Sequence, residues 1–367
     1  MKRAIIGLLT GLAITVATLC AMEGFASALL FVRDYRHPSA ARVVIRPHVE
    51  HDTLLGWSNR PSFSSPNEYG AGVALTTTSL GFRSTGASDS AAASARQGLI
   101  CSGDAYTLGY GVSDEHTWCA LLAKSLASPG LRTYNMGEID FGLDQSALWY
   151  ERDGHRVPHQ IEVLGVTDAA LERMPTSSHD GRFKPMLTVS LGKLELHGVP
   201  VPQQTASALQ EAARERAKYN LRVVQAYMQF TGKDPRARAS HRIDARWSLV
   251  VAVLDSLAAT NTANGSRLVL AYLPMKREVR SKATEQRREK LASYAQRRGI
   301  TYIDLLPPLR AMRPDSLDLA FISHVPSGAA PGALNFYSDL GNAWVAREIS
   351  AALFPSTSTS SVATRAR

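Results

Sequence analysis

The main part of the sequence alternates short apolar runs with stretches of helical periodicity. In the stretch that follows the first run, the apolar residues Trp118, Leu121 and Leu122 recur at spacings of three and four. Repeated strand-then-helix units of this kind predict a parallel sheet with helices on both faces. We therefore expect an α/β, flavodoxin-like three-layer fold over residues 99–354. The predicted strands are 99–101, 132–135, 161–166, 267–273 and 301–305, and the predicted helices include 145–152, 283–298 and 340–353.

Three other segments depart from this alternation. Residues 33–98 carry many Pro, Gly and Asn turn signals without long periodicity, which predicts an extended lead-in and linker. Short strand-like pieces at 43–45 and 73–77 within it could pack on the main domain. Between the third and fourth predicted strands, about 175–240, the sequence has a hairpin pattern followed by a helical stretch at 205–230, which we interpret as an insertion. Residues 355–367 lack apolar content and are expected to be a disordered tail.

The N-terminal segment, residues 1–32, is apolar enough to enter a membrane. Two basic residues precede an uncharged run, 4–22, which has about the length that a helix needs to cross a bilayer. The apolar character continues beyond Glu23, and this favours an uncleaved membrane anchor. The small residues at 26–28 leave a cleaved signal peptide as the alternative, with the mature protein secreted.

Composition and charge narrow the possible classes. A chain of 367 residues with 45% hydrophobic and 20% charged residues is neither disordered, collagen-like nor a small disulfide-stapled protein. The formal net charge of +9 could suit nucleic acid or anionic lipid. The basic residues are spread along the chain, however, and the densest stretch, 276–290, is interleaved with glutamates like a solvated helix face. We therefore predict no nucleic-acid binding.

The cysteines and histidines do not predict a metal centre. Cys20 lies in the N-terminal apolar run, so Cys101 and Cys119 are the only plausible soluble pair, and we expect them to be two small buried residues rather than a disulfide. His155 and His159 are four residues apart, but a proline interrupts the helical pattern between them, and a solvated loop is the better interpretation. We expect neither a metal nor a cofactor.

The segment that carries candidate chemistry follows the first predicted strand. Gly103-Asp104-Ala105 begins a glycine-rich turn, at the place where an open α/β sheet presents its ligand-facing loops. The segment resembles the first block of the SGNH, or GDSL, ester hydrolases, which reads Gly-Asp-Ser with the serine as nucleophile. In the same order, Asn135-Met136-Gly137 resembles the block whose glycine N–H helps to bind the oxyanion. Gly165-Val166-Thr167-Asp168 lies where that family has Gly-x-Asn-Asp.

The resemblance covers about residues 99–354 and extends to the lead-in. There, Leu55-Gly56-Trp57 and Leu80-Gly81-Phe82-Arg83 resemble the membrane-attached members of the superfamily. It implies an extracytoplasmic domain, on the periplasmic side if the source is bacterial, that belongs to the acyl-ester hydrolase class. It also implies a ligand that is an O-acylated carbohydrate or lipid. The crevice residues that it implies are Asp104, Ala105, Asn135, Gly137, Thr167 and Asp168.

Three departures from the family pattern decide the expected mechanism. Ala105 stands at the nucleophile position, and a methyl group cannot attack a carbonyl. Thr167 replaces the asparagine of the oxyanion site, and Phe336, five residues before Gly341, falls where the catalytic histidine would lie. With the nucleophile and the base both missing, we predict a degenerate site that binds or scaffolds, with negligible hydrolysis.

Two alternatives remain open from the sequence. The first is an active O-acyl or acetyl esterase with a relocated nucleophile and His324, in the loop before the last helix, as the base. Ser102 is the neighbouring hydroxyl for that role, although its place at the strand end should direct it away from the crevice. The second alternative is a purely structural partner in a membrane glycan-modifying assembly.

Overall fold

The computed structural model describes residues 2–36, 46–86, 97–125, 131–179, 182–205, 222–231, 243–325 and 333–354. The longer helices are α1 Lys2–Arg36, α3 Trp118–Ser125, α4 Leu143–Asp153, α6 Arg222–Thr231, α7 Ile243–Ala263, α8 Glu285–Arg298 and α11 Asp339–Leu353. The short helices are α2 Ala105–Leu108, α5 Asp168–Arg173, α9 Leu306–Arg310 and α10 Pro314–Leu319, with single 3₁₀ turns at Asp114–His116, Gly154–Arg156 and Lys276–Glu278. The central strands are β5 Gln97–Gly103, β6 Leu131–Gly137, β7 Ile161–Val166, β12 Arg267–Tyr272 and β13 Thr301–Asp304. The peripheral strands are β1 Val49–Asp52, β2 Gly56–Asn59, β3 Ser64–Ser65, β4 Leu75–Thr76, β8 Ser178–His179, β9 Arg182–Phe183, β10 Met186–Ser190 and β11 Lys193–His197.

The central sheet confirms the predicted fold class. Its five strands lie in the order β6-β5-β7-β12-β13, and every neighbouring pair is parallel. Counted along the chain this is the order 2-1-3-4-5 of flavodoxin-like folds, in which the connections change direction between the first and third strands. Side chains alternate between the two faces of such a sheet. Cys101 packs with α3 and α11 on one face, whereas Ser102 and Glu162 meet α7 on the other.

Cys101 and Cys119 form a disulfide, so the expectation of two unpaired cysteines is wrong. Cys101 lies on β5 and Cys119 on α3, and both are fully buried. β5 and α3 contribute to the same hydrophobic cluster, and the two Cα atoms are 6.0 Å apart, within the range that a disulfide spans. Cys20 remains free and exposed.

Residues 46–86 pack on the sheet domain, as the sequence allowed for the strand at 73–77, and are not the extended segment that we predicted for the lead-in as a whole. They belong to the compact unit made of 46–179, 183–203 and 248–367. β1 pairs with β2 and β3 with β4, both antiparallel, and Trp57 donates a 2.9 Å hydrogen bond from Nε1 to the carbonyl of Ile139. Leu55, Trp57, Leu75 and Phe82 are almost completely buried, so this segment contributes to the core. Segment 43–45 lies outside the described residues.

The insertion is described in part. β10 and β11 form the predicted hairpin, with Ser190 opposite Lys193. The two residues between them have positive φ, as a type I′ hairpin turn requires. Of the helix predicted at 205–230, the structure describes α6, and the remainder lies outside the described residues, as do 87–96 and the tail 355–367.

A second compact unit contains α1 and α6. Ile5–Leu30 within α1 is long and apolar enough to cross a membrane, by length and composition alone, and a signal sequence meets the same criteria. The carboxylate of Glu23 accepts hydrogen bonds from the first backbone N–H groups of α6, at 2.6 Å from Arg222 and 3.2 Å from Val223. Glu23 therefore caps that helix.

The histidine pair is divided between solvent and core. His155 is exposed, but His159 is buried, and its Nε2 lies 2.7 Å from the hydroxyl of Tyr150. The expectation of a solvated loop is thus wrong for His159, because Tyr150 supplies the polar partner that burial of an imidazole requires. Within the described ranges, no group of three or more His, Cys, Asp or Glu residues is arranged to hold a metal ion.

Candidate functional site

A cavity of about 700 Å³ lies beside Asp104 and Ala105, directly after the carboxyl end of β5. Ligands bind at this end of open α/β sheets, where the strand order changes direction. The volume is in the range of sites for small organic ligands. The lining residues are Asp104, Ala105, Tyr106, Ala169, Arg173, Met275, Lys276, Arg277, Val279, Arg280, Leu317, Asp318, Asn335 and Phe336.

Glycines at the ends of the strands let α2 lie against the sheet. Gly103 has a φ of +148°, and a Cβ there would be 2.3 Å from Oγ1 of Thr107. A Cβ on Gly137, at the end of β6, would be 2.1 Å from the backbone nitrogen of Leu108. No side chain fits at these distances, so the glycines are required for the close approach of α2 as well as for the turn.

Asp104 links α2, α5 and the end of β7. Its Oδ1 accepts a hydrogen bond from the N–H of Tyr106 at 3.0 Å, which caps α2. Its Oδ2 accepts the hydroxyl of Thr167 at 2.6 Å and the guanidinium of Arg173 at 3.2 Å. Oγ1 of Thr167 in turn accepts the N–H of Ala170 at 3.1 Å. Because the one proton of Thr167 is donated to Asp104, this hydroxyl is not available to stabilise an oxyanion.

Ala105 and Phe336 bring hydrocarbon to the cavity wall. Phe336 packs against the buried cluster that contains Ala105, and its ring centroid is 4.7 Å from that of Tyr106 and 5.3 Å from that of Tyr110. The hydroxyl of Tyr106 donates to the carbonyl of Asn335 at 3.1 Å. Burial raises the pKa of Tyr106 well above its usual range, so this phenol stays protonated. The wall therefore offers neither a nucleophile nor a base at these positions.

Asn135 and Gly137 support the fold rather than the cavity wall. The side-chain amide of Asn135 donates to the carbonyl of Thr107 at 3.0 Å, and its Oδ1 accepts the N–H of Gly137 at 2.9 Å. The N–H that the resemblance assigns to an oxyanion site is therefore engaged inside the protein. Asp168 is also buried, in an ion pair with Arg287, and burial raises the pKa of its carboxyl to about 6 although the arginine acts to lower it. Of the six crevice residues named from the sequence, Asp104 and Ala105 line the cavity.

The structure does not bring the alternative catalytic pair together. His324 is exposed and lines a different groove, which it shares with Gly111, Ser338 and Leu340. Ser102 is buried on the opposite side of β5, where its hydroxyl donates to Oε1 of Glu162 at 2.5 Å. The side chain of Ser102 thus points away from the cavity, as alternation along the strand predicts.

Arg83 is a positioning residue whose role the sequence did not reveal. Its buried guanidinium is 2.8 Å from a carboxylate oxygen of Asp114 and donates to the carbonyls of Leu108, Gly109 and Val112 at 2.6 to 2.8 Å. These carbonyls belong to the last residue of α2 and to the turn after it, so Arg83 fixes the segment that follows Ala105. The Leu80–Arg83 motif was the only signal for it, and a motif does not say which carbonyls an arginine contacts.

The basic stretch at 276–290 is not one solvated helix face, which corrects that interpretation. Lys276–Glu278 forms a separate 3₁₀ turn, and α8 begins at Glu285. Lys276, Arg277 and Arg280 consequently lie on the cavity wall, together with Arg173. Alternating basic and acidic residues look like a helix surface in the sequence even where a turn divides the segment. The charge pattern therefore could not distinguish one continuous helix from a turn followed by a helix.

No family model matches the sequence, and no curated protein gives a significant match. Solved structures do match over most of the chain. A member of the lipolytic protein G-D-S-L family from Veillonella parvula is 12% identical with a TM-score of 0.39, covering 69% of this chain and 95% of that one. An acetyl xylan esterase, AlAXEase, is 15% identical with a TM-score of 0.38, covering 70% and 99%. The lipase/acylhydrolase from Enterococcus faecalis is 12% identical with a TM-score of 0.35, covering 69% and 93%.

Proposed function

We propose that this chain, whose fold and sequence blocks resemble the SGNH hydrolases, is a membrane-anchored protein that binds an acyl-ester ligand without hydrolysing it. One observation carries the proposal: Ala105 and Phe336, which the resemblance assigns to the positions of the nucleophile and the general base, both line the cavity. A methyl group and a phenyl ring cannot form an acyl-enzyme or accept a proton. The cavity itself remains, so binding is the activity that these residues support.

The arrangement of hydrogen-bond donors supports the same proposal. Removal of one member of a catalytic triad typically costs about 10⁴ to 10⁶ in rate, and what then remains comes from the oxyanion donors and from binding. Here the N–H of Gly137 and the hydroxyl of Thr167 are both used inside the protein. Residual catalysis from these two donors should therefore be very small.

The disulfide and α1 support an extracytoplasmic, membrane-attached domain. A buried disulfide such as that between Cys101 and Cys119 forms and persists in oxidising compartments and is rare where thiols are kept reduced. The N-terminal helix has the length and composition of a membrane span. An anchor in the membrane with the sheet domain outside the cytoplasm accounts for both observations. By the resemblance, the ligand would be an O-acylated carbohydrate or lipid.

Esterase assays on the full-length chain in mild detergent test this proposal. We expect no hydrolysis of p-nitrophenyl acetate and no covalent labelling by a fluorophosphonate. Ala105→Ser should remain inactive, because the restored hydroxyl would lack a histidine to accept its proton. The double variant Ala105→Ser with Phe336→His is the comparison for Ala105→Ser, since it places both a hydroxyl and an imidazole on the cavity wall.

Hydrolysis at rates typical of serine esterases would overturn the proposal. If His324→Ala or Ser102→Ala abolished that hydrolysis, the alternative of a relocated catalytic pair would replace it. Turnover by Ala105→Ser alone would show that a base at some position other than 336 reaches residue 105.

A further inference from the structure

Building on the proposed function, we propose that the cavity selects ligands with an anionic head group attached to an apolar chain. The anion would be a carboxylate or a phosphate, recognised by Arg277 and Arg280, and the apolar part would lie against Ala105, Leu317 and Phe336. This goes beyond an ester-binding crevice, because an ester carries no charge of its own.

The net charge of the side chains that line the cavity is the first argument for an anionic ligand. Four cationic side chains and two carboxylates line the cavity, giving a net charge of 4 − 2 = +2. Arg173 is paired with Asp104 at 3.2 Å, and Lys276 with Asp318 at 3.0 Å. The excess positive charge therefore belongs to the two remaining arginines.

Arg277 and Arg280 are the groups with capacity to bind an anion. Both are exposed cavity-lining side chains, and neither makes an ion pair with an acidic side chain in the part of the chain that the structure describes. A guanidinium presents donors in a planar fork that matches a carboxylate or a phosphate. Because both are already solvated at the rim, an arriving anion gains charge-assisted hydrogen bonds without breaking an existing ion pair.

The apolar side chains that line the cavity are the argument for an apolar chain on the ligand. Ala105, Val279, Leu317 and Phe336 present aliphatic and aromatic carbon to the same cavity, alongside Met275. A small inorganic anion would leave these surfaces against water. A ligand with both a charged head and an apolar body satisfies the arginines and also covers this wall, which favours it over an ion alone.

Binding measurements with matched probes test this inference. The full-length chain is placed in nanodiscs of phosphatidylcholine, and calorimetry compares 4-phenylbutyrate with 4-phenylbutanol. Dihexanoylphosphatidylglycerol and dihexanoylphosphatidylcholine form the second pair, which distinguishes a phospholipid head group from a free carboxylate. We expect the anionic member of at least one pair to bind about tenfold or more tightly than its neutral or zwitterionic counterpart. That advantage should shrink as salt rises from about 50 mM to about 0.5 M.

Substitutions locate the binding site. Arg277→Gln and Arg280→Gln should each weaken the anionic probe about tenfold and leave the uncharged probe unchanged. Leu317→Glu should weaken it as well, because the new carboxylate would face the anion. Arg297→Gln is the matched control, an exposed arginine of α8 that does not line the cavity, and it should leave both affinities unchanged.

The outcomes separate this inference from the proposed function. Equal binding of the charged and uncharged probes, or a loss in Arg297→Gln equal to that in Arg277→Gln, would overturn the anion selectivity while leaving a silent ester-binding crevice in place. Efficient ester hydrolysis with retained anion selectivity would instead overturn the proposed function alone.

Discussion

Replacement of Glu162 by glutamine should remove a pH dependence of stability that the buried carboxyl imposes. Glu162 lies on β7 and is fully buried; its Oε1 accepts the hydroxyl of Ser102 and its Oε2 the side-chain amide of Asn261, both at 2.5 Å. Burial raises the pKa of Glu162 to about 7, against a partial lowering by these two hydrogen bonds. Glutamine keeps the shape, and its amide can donate to the oxygen of Ser102 while its carbonyl accepts from Asn261.

The sign and size of the effect follow from proton linkage. The pKa is 4.5 in the unfolded reference and about 7 in the folded protein, a difference of about 7 − 4.5 = 2.5 units. Between these values the folded state holds more protons than the unfolded state, so the free energy of unfolding falls as the pH rises through this window. At 1.36 kcal/mol per unit, the loss from Glu162 is about 3 kcal/mol, complete above the folded pKa.

Urea unfolding of the full-length chain in detergent, from about pH 4 to about pH 8, measures this effect. The free energy of unfolding of Glu162→Gln minus that of the unmodified protein should increase by about 3 kcal/mol across this range. Asp168, whose pKa burial raises to about 6, contributes the same slope to both proteins and cancels in the difference. Glu289→Gln makes the same chemical change at an exposed position of α8 and should show no such increase. A difference between the Glu162→Gln and unmodified proteins that stays constant with pH would refute the reasoning.

Three further predictions concern buried groups of the sheet domain. Arg83→Met should lower the free energy of unfolding in urea by about 3 to 5 kcal/mol, because it removes one partner of a buried ion pair. Cys101→Ala with Cys119→Ala should lower it by about 3 kcal/mol, as should reductant in the unmodified protein, whereas Cys20→Ala should not. Gly137→Ala should increase proteolysis of the native chain and cost about 3 kcal/mol, because its Cβ would lie 2.1 Å from the backbone of α2.

The sequence predicted the sheet because that prediction depends on local signals. Strand-then-helix alternation is visible within short windows, and the order of the strands follows from it with few alternatives. Ala105 and Phe336 were identified by their spacing from nearby glycines, Gly103 and Gly341, in segments that resemble the family's motifs. Both residues line the cavity in the structure. Parallel strands all end at the same edge of a sheet, and this locates the site; it does not fix which side chains reach it, since of the six crevice residues named from the sequence Asp104 and Ala105 line the cavity.

Contacts between distant segments could not be predicted in the same way. Thr167 was expected to line the crevice, but its hydroxyl donates to Asp104, 63 residues earlier in the chain. Trp57 belongs to a segment rich in turn signals, yet its indole donates to a carbonyl 82 residues later and the ring is buried. Turn residues indicate where a chain bends and carry no information about the surface on which it then packs.

The side chains that shape the cavity are not those of residues 105 and 336, which lack a nucleophile and a base. Arg83 holds the carbonyls after α2, and Asp104 joins α2 to Thr167 and Arg173, and none of these contacts involves a nucleophile or a base. None of these contacts requires a serine hydroxyl at position 105. The geometry of the cavity therefore depends on buried hydrogen bonds that do not involve the side chains of residues 105 and 336. This separation is physically consistent with the binding role that we propose, and it makes the affinity of the cavity a property to measure alongside its turnover.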